Sequence, residues 1–490
     1  MKILLASAEV TPFSKVGGLA DVAGALPTAL AQLDVDIRII TPGYGSVNRE
    51  QFPEEAAATF QVPVGEKSYQ AEIRQTALSE TQSVPVYFVQ NEHFFNRAGI
   101  YTDPDSGKAY PDNDERFIFF IRAILAWLQE HDWTPDILHS NDHHTGLLPA
   151  YITDRYSEHE TIGSIRNLFT IHNMGYQGIY PSDVLKKTGF PEEYSRNKEA
   201  FQFHGKVNFM KVALHYADKI NTVSPTYARE IMSSEEFGFG LEEVLHMRRD
   251  DVSGILNGVE YSDWSPETDQ LIPYQYSMND ISGKRKNRDE LLRKNRLIAE
   301  HSTPIIGMVS RLVDQKGFDL MDEVLEDLLS LDLRFILLGT GERPYHRLFE
   351  EAKQEFPDKI GVTFTYDNPL AHLIEAGSDM FLMPSKYEPC GLNQMYSLKY
   401  GTIPIVHATG GLADTIRDYD PATHTGNGFS FNEYTPEALL EAVKRAINTF
   451  RNKARWKFIR DNAMECDFSW EVSARKYKEL YNDILSSRPE

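Results

Sequence analysis

Short apolar runs alternate with amphipathic stretches along most of the chain. Residues 3–6 form the first run, of the kind a buried parallel strand shows. Leu19, Val22, Ala23, Leu26, Leu30 and Leu33 then recur at helical spacing, with Pro27 expected to kink the helix. In the first half, 35–40, 84–89, 136–139, 167–171 and 219–223 read as further strands, and 116–128 as a helix. In the second half, 304–309, 335–338, 362–366, 380–384 and 403–407 read as strands with helical patterns between them. Such alternation specifies a parallel, doubly wound α/β sheet, whose ligands sit at the carboxyl ends of the strands.

Between the first strand and helix lies Ser14-Lys15-Val16-Gly17-Gly18. Two glycines admit a close ligand, the helix start offers free N–H groups, and Lys15 adds a charge, which together suit phosphate oxygens. The bland alternative is a glycine turn with an exposed lysine. Gly17-Gly18-Leu19-Ala20-Asp21 returns as Gly410-Gly411-Leu412-Ala413-Asp414, again after an apolar run and before a helical pattern. Chance, helix-start chemistry or a chain of two similar α/β halves would each produce that echo.

Composition narrows the function classes. A chain of 490 residues has room for two or three domains. A net charge of −22 argues against a nucleic-acid surface while leaving room for a local cationic pocket. Two cysteines exclude a disulfide framework and fit a reducing compartment, and no leader or membrane span is visible, so the cytoplasm is the expected location. The basic run at 284–288 reads as the exposed face of a helix leading into a second domain rather than an RNA patch.

The strand-end loops hold the candidate chemistry. Asp34-Val35-Asp36 precedes its strand, which disfavours a metal motif there. Residues 91–114 read as a loop whose Phe94, Phe95, Tyr101 and Tyr110 would furnish a groove with aromatic faces. Asp142-His143-His144 lacks regular zinc spacing, so a polar loop beside a sugar is expected in place of a metal. His172-Asn173 follows the next strand, and Asn257-Gly258 opens a turn-rich connection. Arg311 and Lys316 put two cations on one loop, suited to a diphosphate. Tyr366 is placed to stack on a base, and Glu388 lies in the constrained loop Pro389-Cys390-Gly391-Leu392-Asn393.

Together these stretches resemble the bacterial glycogen synthase and plant starch synthase family over nearly the whole chain. The resemblance is carried by 15–19, Asp112-Asn113 with Arg116-Phe117, Asn141-Asp142, His172-Asn173, Asn257-Gly258, Ser310-Arg311 with Lys316-Gly317, 388–392, 409–412 and 467–470. It implies two Rossmann-like doubly wound domains facing across a cleft, the GT-B architecture: 1–253 with a returning 468–490 for the glucan acceptor, and 254–467 for the nucleotide sugar. It implies transfer of glucose from ADP-glucose to the non-reducing 4-hydroxyl of an α-1,4-glucan, with retention and without a metal or other cofactor. By the same resemblance Glu388, His172, Arg311 and Lys316 are catalytic. Lys15, Gly17, Gly18, Asp142, Asn173, Asn257, Tyr366, Cys390, Gly391, Leu392 and Asn393 bind the nucleotide sugar. Asn393 stands where the family commonly has Thr, His143 where Trp is common, and Asp367-Asn368-Pro369 alters the usual acidic pattern. Same-face attack and a covalent glucosyl intermediate both remain open, as do a UDP-glucose donor, a different acceptor, and a glucan-binding protein without activity.

Overall fold

A computed structural model describes residues 1–78 and 84–487. Arg488, Pro489 and Glu490, the end of the expected returning segment, lie outside the described residues. The chain forms two compact units. The first holds 1–223, 228–258 and the chain from Trp470 onward, and the second holds 224–227 and 259–469.

The first unit is built on β1 (Lys2–Ala6), β2 (Asp36–Pro42), β3 (Glu55–Val64), β4 (Lys67–Ala77), β5 (Pro85–Gln90), β6 (Ile137–Asn141), β7 (Arg166–Ile171), β10 (Lys219–Thr222) and β11 (Val252–Gly254). β8 (Ile179–Pro181) and β9 (Lys206–Asn208) make a separate two-stranded ribbon. The nine-stranded order is β11-β10-β7-β6-β1-β2-β5-β4-β3, parallel except for the β3–β4 and β4–β5 pairs. The order reverses between β1 and β6, the switch point where such a sheet opens a crevice. The hairpin β3–β4 lies beyond the elements the apolar runs predict. Its edge strand is mostly exposed, so it lacks the unbroken apolar run of a central strand.

The second unit is a six-stranded parallel sheet of β12 (Ile305–Val309), β13 (Arg334–Leu338), β14 (Ile360–Thr363), β15 (Met380–Met383), β16 (Ile403–His407) and β17 (Phe429–Phe431). Its order, β14-β13-β12-β15-β16-β17, reverses between β12 and β15. Each unit has its own core. Ile3–Leu5, Phe119, Phe120 and Trp127 anchor the first, and Ile305, Phe335, Ile336 and Phe381 the second.

The first helix spans Gly18–Ala31 with Pro27 inside it. Three expectations are corrected. Phe94 and Phe95 are wholly buried and pack into the core of the first unit, so they line no groove. β14 ends at Thr363, leaving Tyr366 in the following loop. The helix Ser282–Asn295 does not simply present its basic run to water. Lys284 turns inward, its Nζ donating to Thr402 Oγ1 (2.6 Å) and Ala376 O (3.2 Å), and burial pulls its pKa down to about 7. One turn on, Arg288 Nη2 donates to Thr303 O (2.5 Å).

The loop before the helix Asn113–Glu130 is shaped by a buried guanidinium. Arg116 is fully buried, and its Nε and Nη1 donate to Phe94 O, Ile100 O and Asn113 Oδ1, each at 2.7 Å. Arg116→Met strands two carbonyls and is expected to destabilise the protein by about 2–4 kcal/mol. Denaturant unfolding reads the loss, and an unshifted midpoint would show that other contacts hold this loop.

Candidate active site

In the first unit the side chains gather at the β1/β6 switch point. Glu9, just past β1, is buried. Its Oε2 accepts from the amides of Val16 (2.5 Å) and Gly17 (3.0 Å), and its Oε1 from the Tyr101 hydroxyl (2.6 Å). Burial raises its pKa, opposed by these three donors. Two amides of the glycine loop are therefore already taken by a carboxylate. Those left for an anion open the helix at Gly18. Lys15 pairs with Asp21 (2.6 Å), and its side chain stays half exposed. Neither Gly17 nor Gly18 has positive φ, and a Cβ on either would meet nothing within 4 Å. The protein's own packing does not call for glycine there, which fits room kept for a ligand.

Asp142 follows β6 with φ 54°, and its carboxylate accepts from the amides of His172 (2.8 Å) and Asn173. Burial pushes its pKa up to about 7, with Glu9 adding to the rise. His172 follows β7 and is buried, which pulls its pKa down to about 3. Its Nε2 lies 2.9 Å from Asn141 Oδ1. The Asn141 amide nitrogen donates to Ala6 O and His139 O, so its oxygen accepts and His172 carries its proton on Nε2. Asn173 Oδ1 accepts from Gly175 N (2.9 Å) and closes the turn behind the histidine. Asn257 is buried with an unpartnered Oδ1. His143 Nδ1 donates to Tyr176 O (3.0 Å), while His144 stacks on Tyr101 at 4.7 Å.

In the second unit the loops after β12 and β15 meet at that sheet's switch point. Arg311 is exposed. Lys316 Nζ sits 2.5 Å from Glu388 Oε2, which also accepts from Ser385 Oγ (3.0 Å). Glu388 is 5 % exposed. Gly317 holds φ 81°, and a Cβ there would lie 2.0 Å from Pro384 O. A Cβ on Gly410 would lie 1.9 Å from Glu388 O, and one on Gly411 2.0 Å from Cys390 O. Cys390 is itself buried, and Gly391, with φ 72°, turns the chain into Leu392 and the helix Asn393–Tyr400. Asn393 Nδ2 donates to Val309 O (2.9 Å). Tyr366 is 83 % exposed, and Asp367 beside it caps the next helix by accepting from Leu370 N (2.9 Å).

Sequence reasoning passed over Glu9 and read Tyr101 as a groove aromatic without its carboxylate partner. The available signal was an acid between Ala8 and Val10 just past a buried strand, a place where burial demands donors. Among the described residues no group of three or more His, Cys, Asp or Glu side chains is arranged to hold a metal, and no helix is long and apolar enough to cross a membrane.

Two doubly wound units, each with its polar residues at a switch point, match the fold of GT-B glycosyltransferases. Sucrose-phosphate synthase from Thermosynechococcus elongatus shares this fold over both whole chains, at TM-score 0.59 and 17% identity. Residues 2–247 match the starch synthase catalytic domain and residues 289–460 match glycosyl transferases group 1. The glycogen synthases of Thermosipho africanus and Thermosipho melanesiensis are 44% and 45% identical, with all of each chain covered. The catalytic domain of starch synthase IV from Arabidopsis thaliana, bound to ADP and acarbose, superposes at TM-score 0.89 with 33% identity and 99% of both chains covered. The chain belongs to the glycogen synthase and starch synthase family.

The glycine geometry separates two roles. Gly411→Ala is expected to lower stability by about 2–4 kcal/mol because its Cβ strikes backbone. Gly18→Ala is expected to melt like wild type while raising KM for the nucleotide sugar severalfold. Calorimetry beside steady-state kinetics checks both, and a Gly18→Ala protein with unchanged KM would remove this loop from the donor site.

Proposed function

We propose that the protein is a retaining glucosyltransferase that moves glucose from ADP-glucose to the non-reducing 4-hydroxyl of an α-1,4-glucan such as glycogen or a maltooligosaccharide. The observation carrying this reading is the Lys316–Glu388 pair at the β12/β15 switch point, on loops shared with Arg311. It puts cation and carboxylate side by side, one suited to a diphosphate and the other to a sugar. The Thermosipho enzymes and the Arabidopsis domain with ADP and acarbose support the donor and acceptor classes. In this reading residues 254–467 hold the nucleotide sugar, and residues 1–253 with 468–490 hold the glucan. With two cysteines in the whole chain, a cytoplasmic site of action fits.

A diphosphate departs readily once its charge is met, so the main task is electrostatic. Lys316 has three N–H donors and can keep Glu388 while reaching a phosphate oxygen. Arg311 adds to the same field, Lys15 and the helix start at Gly18 are also assigned to the nucleotide sugar, and no metal or other cofactor enters the reaction. Asp142 and Asn257 contact the transferred glucose, and the unpartnered Asn257 Oδ1 is an acceptor ready for a sugar hydroxyl. His172, neutral at working pH, hydrogen-bonds without supplying a proton. As the anomeric carbon gains cationic character, Glu388 faces it. Its Oε2 is held by Lys316 and Ser385, and its role in this reading is to stabilise charge. Attack then comes from the departing side, and the leaving phosphate takes the acceptor proton.

Arg311→Ala and Lys316→Ala are each expected to lower kcat/KM by ~10²–10³ without unfolding the protein. Glu388→Gln is expected to bind ADP like wild type and turn over at least as much more slowly. Near-normal turnover in any of the three would sink the site assignment.

Donor choice is read separately. The exposed ring of Tyr366 offers a stacking face, and a purine stacks over more area than a pyrimidine. Aromatic contacts contribute about 0.5–1.5 kcal/mol, so Tyr366→Ala is expected to narrow the ADP-glucose preference by up to about tenfold. Comparing kcat/KM for ADP-glucose and UDP-glucose checks this, and an unchanged ratio would remove the stacking contact.

A further inference from the structure

The geometry points to Asn393 as a positioning residue that braces the two diphosphate-side loops of the second unit, an inference that rests on the functional reading above. β12 and β15 pair only at Ile306–Met380 and Gly307–Phe381, so the two strands part before β12 reaches its end. On the other edge β12 stays paired with β13 through Val309–Leu338, and Ser310 N continues the ladder to Leu338 O (3.1 Å). Successive residues of a strand point their backbone groups to opposite edges. With Ser310 turned to β13, the Val309 carbonyl turns into the split towards β15. Asn393 Nδ2 reaches across the split and donates to that carbonyl at 2.9 Å.

The two ends of this bond stand next to the charged machinery. Val309 leads directly into Ser310-Arg311, and Asn393 opens the helix that follows 388–392. The bond therefore ties the Arg311–Lys316 loop to the Glu388 loop where the sheet itself no longer holds them together. Lys386 N to Gln315 O (2.9 Å) and Lys316 to Glu388 join the same loops farther out. Those contacts lie beyond the strand end. Ser310 N to Leu338 O and Leu312 N to Thr340 O (3.0 Å) hold the Val309–Arg311 segment on the β13 side, and Asn393 holds it on the β15 side. Through that bond the side chain acts on Arg311 and Lys316.

The test measures ADP and UDP affinity by calorimetry on the full chain for wild type, Asn393→Ala, Asn393→Asp and Asn393→Thr, with thermal midpoints and glucosyl transfer alongside. A brace acts on the diphosphate shared by both nucleotides. Asn393→Ala is therefore expected to weaken ADP and UDP by the same factor, about five- to tenfold, with a thermal midpoint near wild type. Asn393→Asp keeps the shape and loses the donor, and is expected to weaken both at least as much. Asn393→Thr restores a donor and is expected to recover most of the affinity. Unequal losses for ADP and UDP would make Asn393 a base-reading residue and overturn the brace. Wild-type affinity in Asn393→Ala, whether or not its midpoint falls, would overturn it too. A wild type that binds ADP and transfers no glucose would defeat the functional reading, while the brace is still judged on the nucleotide affinities.

Discussion

Backbone contacts made possible by glycine are the constraint on which the second unit's site depends. Gly317 seats the loop after β12 on Pro384 O, while Gly410 and Gly411 seat another segment on the carbonyls of Glu388 and Cys390. Gaps of about 2 Å to a built Cβ leave no room for any side chain. The Glu388 backbone is consequently fixed by main-chain neighbours on two sides, which leaves its carboxylate little freedom to reorganise. Burying the Lys316–Glu388 pair contributes little to stability, because desolvation offsets much of the attraction. Its place at the switch point makes sense as preorganisation for chemistry.

The first unit reaches a similar order by another route. There a buried carboxylate, Glu9, gathers the amides of Val16 and Gly17 and the Tyr101 hydroxyl. Tyr101 lies on the loop that Arg116 holds by Phe94 O and Ile100 O, so packing deep in this unit reaches the glycine loop through side-chain hydrogen bonds. A carboxylate on those amides repels an anion, and Asp21 tempers Lys15. The unit is thereby less cationic at its switch point than Lys15-Val16-Gly17-Gly18 suggests.

The parallel strands were legible because both faces are covered, which makes runs such as 3–6 and 305–308 continuously apolar. The hairpin β3–β4 was not, because its edge strand is half in water and carries no such run. At the site, the types of residue could be read, but their partners could not. Nothing local says that Glu9 bonds Val16, that Asn393 bonds Val309, or that Lys284 turns inward to Thr402, since each pair is closed by tertiary folding. Phe94 and Phe95 misled for the same reason, as aromatic residues in an irregular segment furnish a core as readily as a groove.

The echo of Gly-Gly-Leu-Ala-Asp shows how little a shared motif fixes by itself. At 17–21 the glycines face open space and the aspartate pairs with Lys15. At 410–414 the glycines are pressed against backbone, and Asp414 accepts from the amide and hydroxyl of Thr226 within the second unit. Both copies open a helix after a parallel strand, which is where small residues and an early acid are favoured on physical grounds alone. The common cause is thus the strand-to-helix turn. What differs is the neighbour: solvent in one unit, the Glu388 loop in the other. A glycine with room for a Cβ points to something absent from the chain, and a glycine without room points to the chain itself, so the two copies call for opposite explanations of the same residues.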